Sequence, residues 1–456
     1  MAGWEEAFET VVAPAVRRSR TIREVMMARG ALRGAGAMVR RHFEGGRVVV
    51  FADEAGFAAA GEPLVGSLEA AGLSVVRHVI AARPLPKPTT ELAESFRAPL
   101  KRAGAVPVAL GSGVINDLVK HAACVEGLPY LSVATAASMD GYASAGAPLI
   151  SEGFKITIPA RAPRAILADL EVIAAAPPEM TSWGYGDLAG KVPAGGDWLV
   201  ADALEIEPLD DAAWPLVQHN LRGWLAGPEA LARGDFAAIA RLFSGLTAVG
   251  LAMEFHGSSR PASGADHQIA HLWEMQGLEH GGRRVSHGAC VAVGCMAVLQ
   301  LYDWLLERDL ERIDAQAVAD AAPTLARKFA EIETLFDDPR IIERAREETR
   351  AKHLEGAALA ERLELLRARW PGLRDRLRAH LMPAGQMAGL LRAAGAPVSG
   401  AEIGVDPARM AATLKASRFI RARYTLPDLL EETGLLTQAV QAVAGQGDGT
   451  GGQHGR

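Results

Sequence analysis

Between Arg47 and Ala134, short runs rich in β-branched residues alternate with stretches of helical periodicity, and that alternation limits the fold more than any other feature of the chain. Arg47–Ala52 reads as a buried strand, Glu54 to Ala71 as a helix and Leu73–Ile80 as the next strand. A helix from Thr89 to Ala103, an apolar strand from Ala105 to Leu110, a helix from Asn116 to Ala123 and a strand around Pro129–Ala134 follow. Apolar strands joined by helices predict a parallel sheet covered on both faces, the frame of an α/β nucleotide-binding domain. We assign this domain to residues 1–174.

Beyond residue 175 the period changes. Segments such as Phe236–Phe255, Val291–Glu307 and Ala317–Phe336 place apolar residues three and four apart, with hardly a convincing strand among them. An all-helical domain over residues 175–444 is expected, joined at Ala174-Ala175-Ala176-Pro177-Pro178. The Gly-rich stretch 445–456 has too little apolar content to pack and reads as a disordered tail.

A net charge of −6 gives no electrostatic footprint for nucleic acid. No run reaches the roughly 18 to 20 uninterrupted apolar residues of a membrane span, and the opening Met-Ala-Gly-Trp-Glu-Glu carries acid where a secretory leader carries base. Three cysteines, Cys124, Cys290 and Cys295, form neither a disulfide framework nor a thiolate cage, and the last two read as small core residues. A cytoplasmic protein without a membrane or nucleic-acid partner is expected.

Several polar residues carry chemistry. Asp187, His267 and His287, far apart in the chain, are the residue types of one divalent metal site. A carboxylate with two imidazoles suits zinc, nickel or iron and leaves a position open to a substrate oxygen. His267 and His271 share a helix face at i and i+4, a spacing that equally lines an ordinary polar groove. The run Gly111-Ser112-Gly113-Val114-Ile115 leads from a strand through a glycine turn into a helix, where backbone N–H groups can meet a phosphate. Asp53 ends a strand, where it can accept from an adenosine ribose and repel a 2′-phosphate, or simply cap the next helix. The loop from Ser132 to Ser144 offers the small hydroxyls of Thr135, Ser138 and Ser144 and one acid, Asp140, fit for hydrogen bonding a cofactor and a polyol, or is simply an ordinary loop.

Together these segments resemble the sn-glycerol-1-phosphate dehydrogenases, bacterial branch, within the superfamily of iron-containing alcohol dehydrogenases, glycerol dehydrogenases and dehydroquinate synthases. The resemblance is carried by Gly111–Asp117, Thr135–Ser144, Gly186-Asp187-Leu188 with Lys191, Ser263–His267 with His271-Leu272-Trp273-Glu274-Met275, Ser286-His287-Gly288 and Arg421–Leu430. It implies a dehydroquinate synthase-like fold, NAD(H) used in preference to NADP(H), and reduction of dihydroxyacetone phosphate to sn-glycerol 1-phosphate. It also implies that Asp187, His267 and His287 hold the metal. Gly111 to Ile115, Thr135 to Ser138, Ser144 and Asp53 would contact cofactor, and Asp140, Asp187 and His271 substrate, with His271 relaying a proton. Two positions depart from the family: Val114 stands where Thr is usual, and Asp266 where Glu is common. Arg260 and Lys191 are the basic residues nearest the proposed ligands in sequence and could serve a phosphate or be solvated surface charges. A homodimer or larger homo-oligomer is the default assembly. A polyol dehydrogenase, a sugar phosphate cyclase and a silent homologue are the alternative readings.

Overall fold

The computed structural model describes residues 4–83, 85–102, 104–151 and 154–444; the stretch read as a disordered tail lies outside them. The chain divides into two compact units, one of Met1–Leu188, Asp211–Ala262 and Ala393–Gly395, the other of Ala189–Asp210, Ser263–Arg392 and Ala396–Arg456.

Among its described residues the first unit has eight strands: β1 (Glu24–Ala28), β2 (Arg47–Asp53), β3 (Ser74–Ile80), β4 (Ala105–Gly111), β5 (Leu131–Ala134), β6 (Gly146–Ser151), β7 (Phe154–Pro159) and β8 (Ala165–Asp169). Six of them form one sheet in the order β1-β8-β5-β4-β2-β3. Every pairing in it is parallel, as the alternating pattern predicts. Side chains point alternately to the two faces of a strand. Val48, Val50 and Ala52 of β2 accordingly join Leu64 and Leu68 of the helix Glu54–Ala70 in one core cluster, and Val49 and Phe51 join Leu118 and Val119 of the helix Gly113–Val125 in another.

Two expected helices needed correction, and four strands were not foreseen. The strands β1 and β8 and the antiparallel hairpin β6-β7 carry no clear sequence signal, because β1 mixes Glu with Met and the hairpin mixes Gly, Pro and Lys. The helix expected over Thr89–Ala103 is instead the short helix Thr90–Ser95 and a 3-10 turn Ala98–Lys101, with Pro99 inside the turn. The helical stretch Ala317–Phe336 is divided at Pro323 into Ala315–Ala321 and Leu325–Leu335.

Phe236–His256 belongs with the sheet unit, where Phe243 packs on Tyr142 at 5.8 Å between ring centroids. This helix and His287–Leu306 of the second unit are long and apolar enough to cross a membrane by composition. The most apolar stretch of each is 78% and 83% buried inside the protein, as core helices are. Apart from the two-residue strands Glu279–His280 and Arg283–Arg284, the described part of the second unit is helical.

Candidate active site

The sheet reverses direction between β2 and β4: from β2 the chain steps outward to β3, then returns to the other side of β2 for β4. The helices leaving β2 and β4 pack on opposite faces, so their N-termini diverge above the carboxyl ends of the two strands. Ligands of open α/β sheets bind at such a point. Asp53 stands on one side of it and Gly111-Ser112-Gly113 on the other. Asp53 is the N-cap of its helix, with Oδ1 accepting from Gly56 N–H at 2.6 Å. Ser112 holds the N-cap position of the 13-residue helix that follows β4, so the N–H groups of Gly113, Val114 and Ile115 have no earlier turn to bond. The Ile115 side chain itself is buried in the core, which leaves only its backbone to face a ligand.

The loop after β5 lies beside this turn, and Thr135 N–H donates to Gly111 O at 3.2 Å. Thr135, Ala136, Ala137 and Ser138 are buried, and Tyr142 O–H ties the loop by donating to Ala136 O at 2.8 Å. Asp140 N–H donates to Asp187 Oδ2 at 2.9 Å, joining the loop to the last turn of the helix Pro178–Ala189. Only glycine allows that helix so near: a Cβ on Gly184 would lie 1.9 Å from Ala137 O. Ser144, expected to face cofactor, has its hydroxyl engaged within the loop, accepting from Lys120 Nζ at 3.1 Å. Lys120 has no exposed surface, and burial draws its pKa down.

In the second unit, three histidines converge. The ring centroids of His267 and His271 are 6.1 Å apart, those of His267 and His287 5.4 Å, and those of His271 and His287 5.7 Å. His267 lies in the first turn of the helix Ala265–Met275, and His287 opens the helix His287–Leu306, capped by Ser286. The two helices meet where Gly294 passes the backbone of Asp266; a Cβ there would lie 2.6 Å from Asp266 O. Each proposed histidine ligand has a carboxylate at Nδ1: Asp266 Oδ2 at 2.6 Å from His267 and Glu274 Oε1 at 3.1 Å from His287. A carboxylate can only accept, so both Nδ1 atoms carry the hydrogen and both Nε2 atoms offer a lone pair, the arrangement of metal-binding imidazoles. The donor chemistry therefore fits a divalent ion. Among the described residues, His271, Glu274 and His287 form a further group with ligand atoms within 4.8 Å of one another.

Asp197, fully buried, fixes this framework. It accepts from Ala265 N–H at 2.7 Å, Leu426 N–H at 3.0 Å and Tyr302 O–H at 2.7 Å, binding the start of the His267 helix to the Arg421–Leu430 segment. Lys191 lies 3.4 Å from His267 Nε2 and, like Arg260, is fully buried, so neither is a solvated surface charge. The sequence reading gave no role to Lys120 or Asp197 and named Glu274 only within the run that carries the resemblance. Glu274 alone had a visible signal, one turn after His271 on the same helix face.

A family model described as iron-containing alcohol dehydrogenase matches residues 26–177. Among solved structures, a probable glycerol dehydrogenase from Sinorhizobium meliloti 1021 superposes with a TM-score of 0.60 at 18% identity, covering 93% of this chain and 97% of that one. Glycerol dehydrogenase from Schizosaccharomyces pombe gives 0.58 at 16% identity, covering 94% and 92%. The fold is that of the iron-containing alcohol dehydrogenase and glycerol dehydrogenase class. The curated glycerol-1-phosphate dehydrogenase (NAD(P)+) of Bacillus velezensis is 31% identical over 398 residues, 85% of this chain and 86% of that relative. Those of Bacillus licheniformis and Bacillus subtilis are 42% identical over 194 residues, 42% of this chain, and the match spans about half of their length, 48% and 49%. The chain belongs to the glycerol-1-phosphate dehydrogenase family.

Proposed function

We propose that the protein catalyses the metal-dependent, NAD(P)H-linked reduction of dihydroxyacetone phosphate to sn-glycerol 1-phosphate, and the reverse oxidation. The observation that carries this reading is the kinship with the Bacillus velezensis glycerol-1-phosphate dehydrogenase over 85% of the chain. The glycine turn at the sheet's reversal point and the carboxylate-backed histidines give it a chemical footing.

The ligands assigned to the ion are Asp187, His267 and His287. The set rests on the donor chemistry: a carboxylate and two imidazoles whose Nδ1 atoms are held by carboxylates. Zinc, nickel or iron suits this set. When bound, the ion would polarise the ketone oxygen as a Lewis acid, and the nicotinamide would supply the hydride. The chain's own residues do the rest. Asp266 and Glu274 keep the two Nε2 lone pairs directed outward from their Nδ1 partners. The Asp140 N–H holds one Asp187 oxygen in place. Asp140 and Asp187 bind the substrate's hydroxyl and carbonyl end, and His271 delivers the proton that completes the alcohol. The N–H groups of Gly113, Val114 and Ile115, with Thr135 to Ser138 and Ser144, face the cofactor's phosphates and ribose. Asp53 takes the adenosine ribose, and its charge favours NAD(H) over NADP(H). The free thiols of Cys124, Cys290 and Cys295 suit a reducing cytoplasm. We assign a homodimer or larger homo-oligomer as the working assembly, which a sizing measurement checks.

The test is anaerobic NADH oxidation by metal-reconstituted protein, with dihydroxyacetone phosphate beside unphosphorylated dihydroxyacetone and the product's chirality assigned. Metal-dependent formation of sn-glycerol 1-phosphate, lost in Asp187→Ala, is expected. Equal turnover of both ketones would make it a polyol dehydrogenase. No NADH loss with zinc, nickel or iron would sink the reading.

A further inference from the structure

Lys120 is a buried charge that the reaction above does not use. Its stem leaves the helix Gly113–Val125, whose first turn is the glycine turn of the cofactor site. Its ammonium enters the loop that follows β5. There it donates to Gly141 O at 2.8 Å, Gly146 O at 2.9 Å and Ser144 Oγ at 3.1 Å, and it pairs with Asp117 Oδ1 at 3.2 Å. Four oxygens thus surround a group with three hydrogens, and the lysine has no exposed surface. Removing an ammonium from water costs several kcal/mol, and an apolar side chain would fill a helix face at less cost. Three of the four partners lie in one short loop, which points to what the charge is for.

We propose that Lys120 is a positioning residue that clamps the segment Asp140–Gly146. The clamp has two downstream contacts. Asp140, at its start, is the residue assigned to substrate. The Asp140 N–H also holds the carboxylate of Asp187, so a fixed loop fixes that carboxylate in turn. Asn116 sits one turn before Lys120 on the same helix face and accepts from Ser132 O–H at 2.9 Å and Tyr130 O–H at 3.3 Å. Through Asn116 and Lys120 a single helix anchors both β5 and the loop it leads into. The link to substrate rests on the function proposed above; the clamp itself does not.

The experiment compares full-length, metal-loaded wild type with Lys120→Met, which keeps the stem and removes the ammonium. Amide hydrogen exchange is read along the chain, together with KM and kcat for dihydroxyacetone phosphate and the Kd for NADH from its fluorescence. Exchange across Asp140–Gly146 should accelerate about tenfold or more while β4 and the His267 helix stay protected. KM for the phosphorylated ketone should rise about tenfold and the NADH Kd by less, because Ser144 is the one residue assigned to cofactor that lies in the released segment, while the N-terminal turn of the Gly113 helix is untouched. Unchanged exchange in the loop, or an equal rise across the whole chain, would overturn the clamp. If Lys120→Met does not fold, Ser144→Ala removes one partner only and should raise exchange at Gly141–Gly146 by about threefold; no rise there would overturn the clamp equally. A wild type inactive on the phosphorylated ketone would refute the proposed function, and the exchange data would still decide the clamp.

Discussion

Two carboxylates at the histidines and one at the end of β2 carry most of what can be tested residue by residue. Glu274→Gln and Asp266→Asn each keep the shape of the side chain but weaken its hold on an imidazole Nδ1–H. Such partners are typically worth ten- to a hundredfold in metal affinity. Competition with a chelator should show a loss of about that size in both variants, with an unchanged circular dichroism spectrum. Retention equal to wild type would mean the rings are held by packing alone. Asp53 combines two duties, the observed helix cap and the proposed ribose contact. Asn caps a helix as well as Asp does, so Asp53→Asn separates them. Its thermal midpoint should stay near wild type while the preference for NADH over NADPH in kcat/KM shrinks. A ratio that does not move would leave Asp53 a cap and nothing more.

At the scale of elements, what counts is how closely helices and strands approach. The His267 and His287 helices touch through Gly294, and a methyl there meets backbone at 2.6 Å. Forcing the helices apart costs about 1–3 kcal/mol by the usual overpacking penalty. Gly294→Ala should therefore lower the thermal midpoint and also weaken metal retention, since it displaces one ligand against the other. A fall in the midpoint with full metal retention would show that the strain relaxes away from the histidines. On the sheet, His78 of β3 packs edge-on against Phe51 and Phe96, with ring centroids 5.1 and 5.2 Å away. Burial lowers its pKa from the ordinary 6.5. The unfolded chain then binds a proton more readily than the folded one. The His78 contribution to stability is complete above pH 6.5 and is lost as pH falls below it, towards the folded value. Thermal midpoints measured from pH 7.5 to 5.5 should decline, and less steeply in His78→Phe. Equal slopes in the two proteins would remove His78 as the cause.

For the whole molecule, a metal that binds only the folded chain stabilises it by mass action, by about 2.7 kcal/mol when the free ion is a hundredfold above its Kd. Zinc, nickel or iron should raise the thermal midpoint of wild type, chelation should reverse the rise, and Asp187→Ala should show neither. A midpoint indifferent to all three ions would count against the proposed ligand set independently of any assay of turnover.

The order of strands and helices from β2 to β5 was legible because burial on both faces leaves an apolar run in the sequence, and the polar residues were legible because few chemistries need that set of side chains. Sequence could also name His267, His271 and His287, since helical spacing and a capped helix start are local properties. It could not give the edge strand β1, whose burial comes from neighbours distant in the chain. Nor could it give the switch from β2 to β4, which is a matter of sheet order. Lys191, Arg260 and Lys120 look like surface charges in one dimension, and only the tertiary structure buries them. Asp197 and Glu274 likewise take their roles from partners 68, 229 and 13 positions away. Local spacing specifies which residues share a face; what that face meets is decided by packing, because contacts between distant segments follow from the fold and leave no periodic trace in the chain.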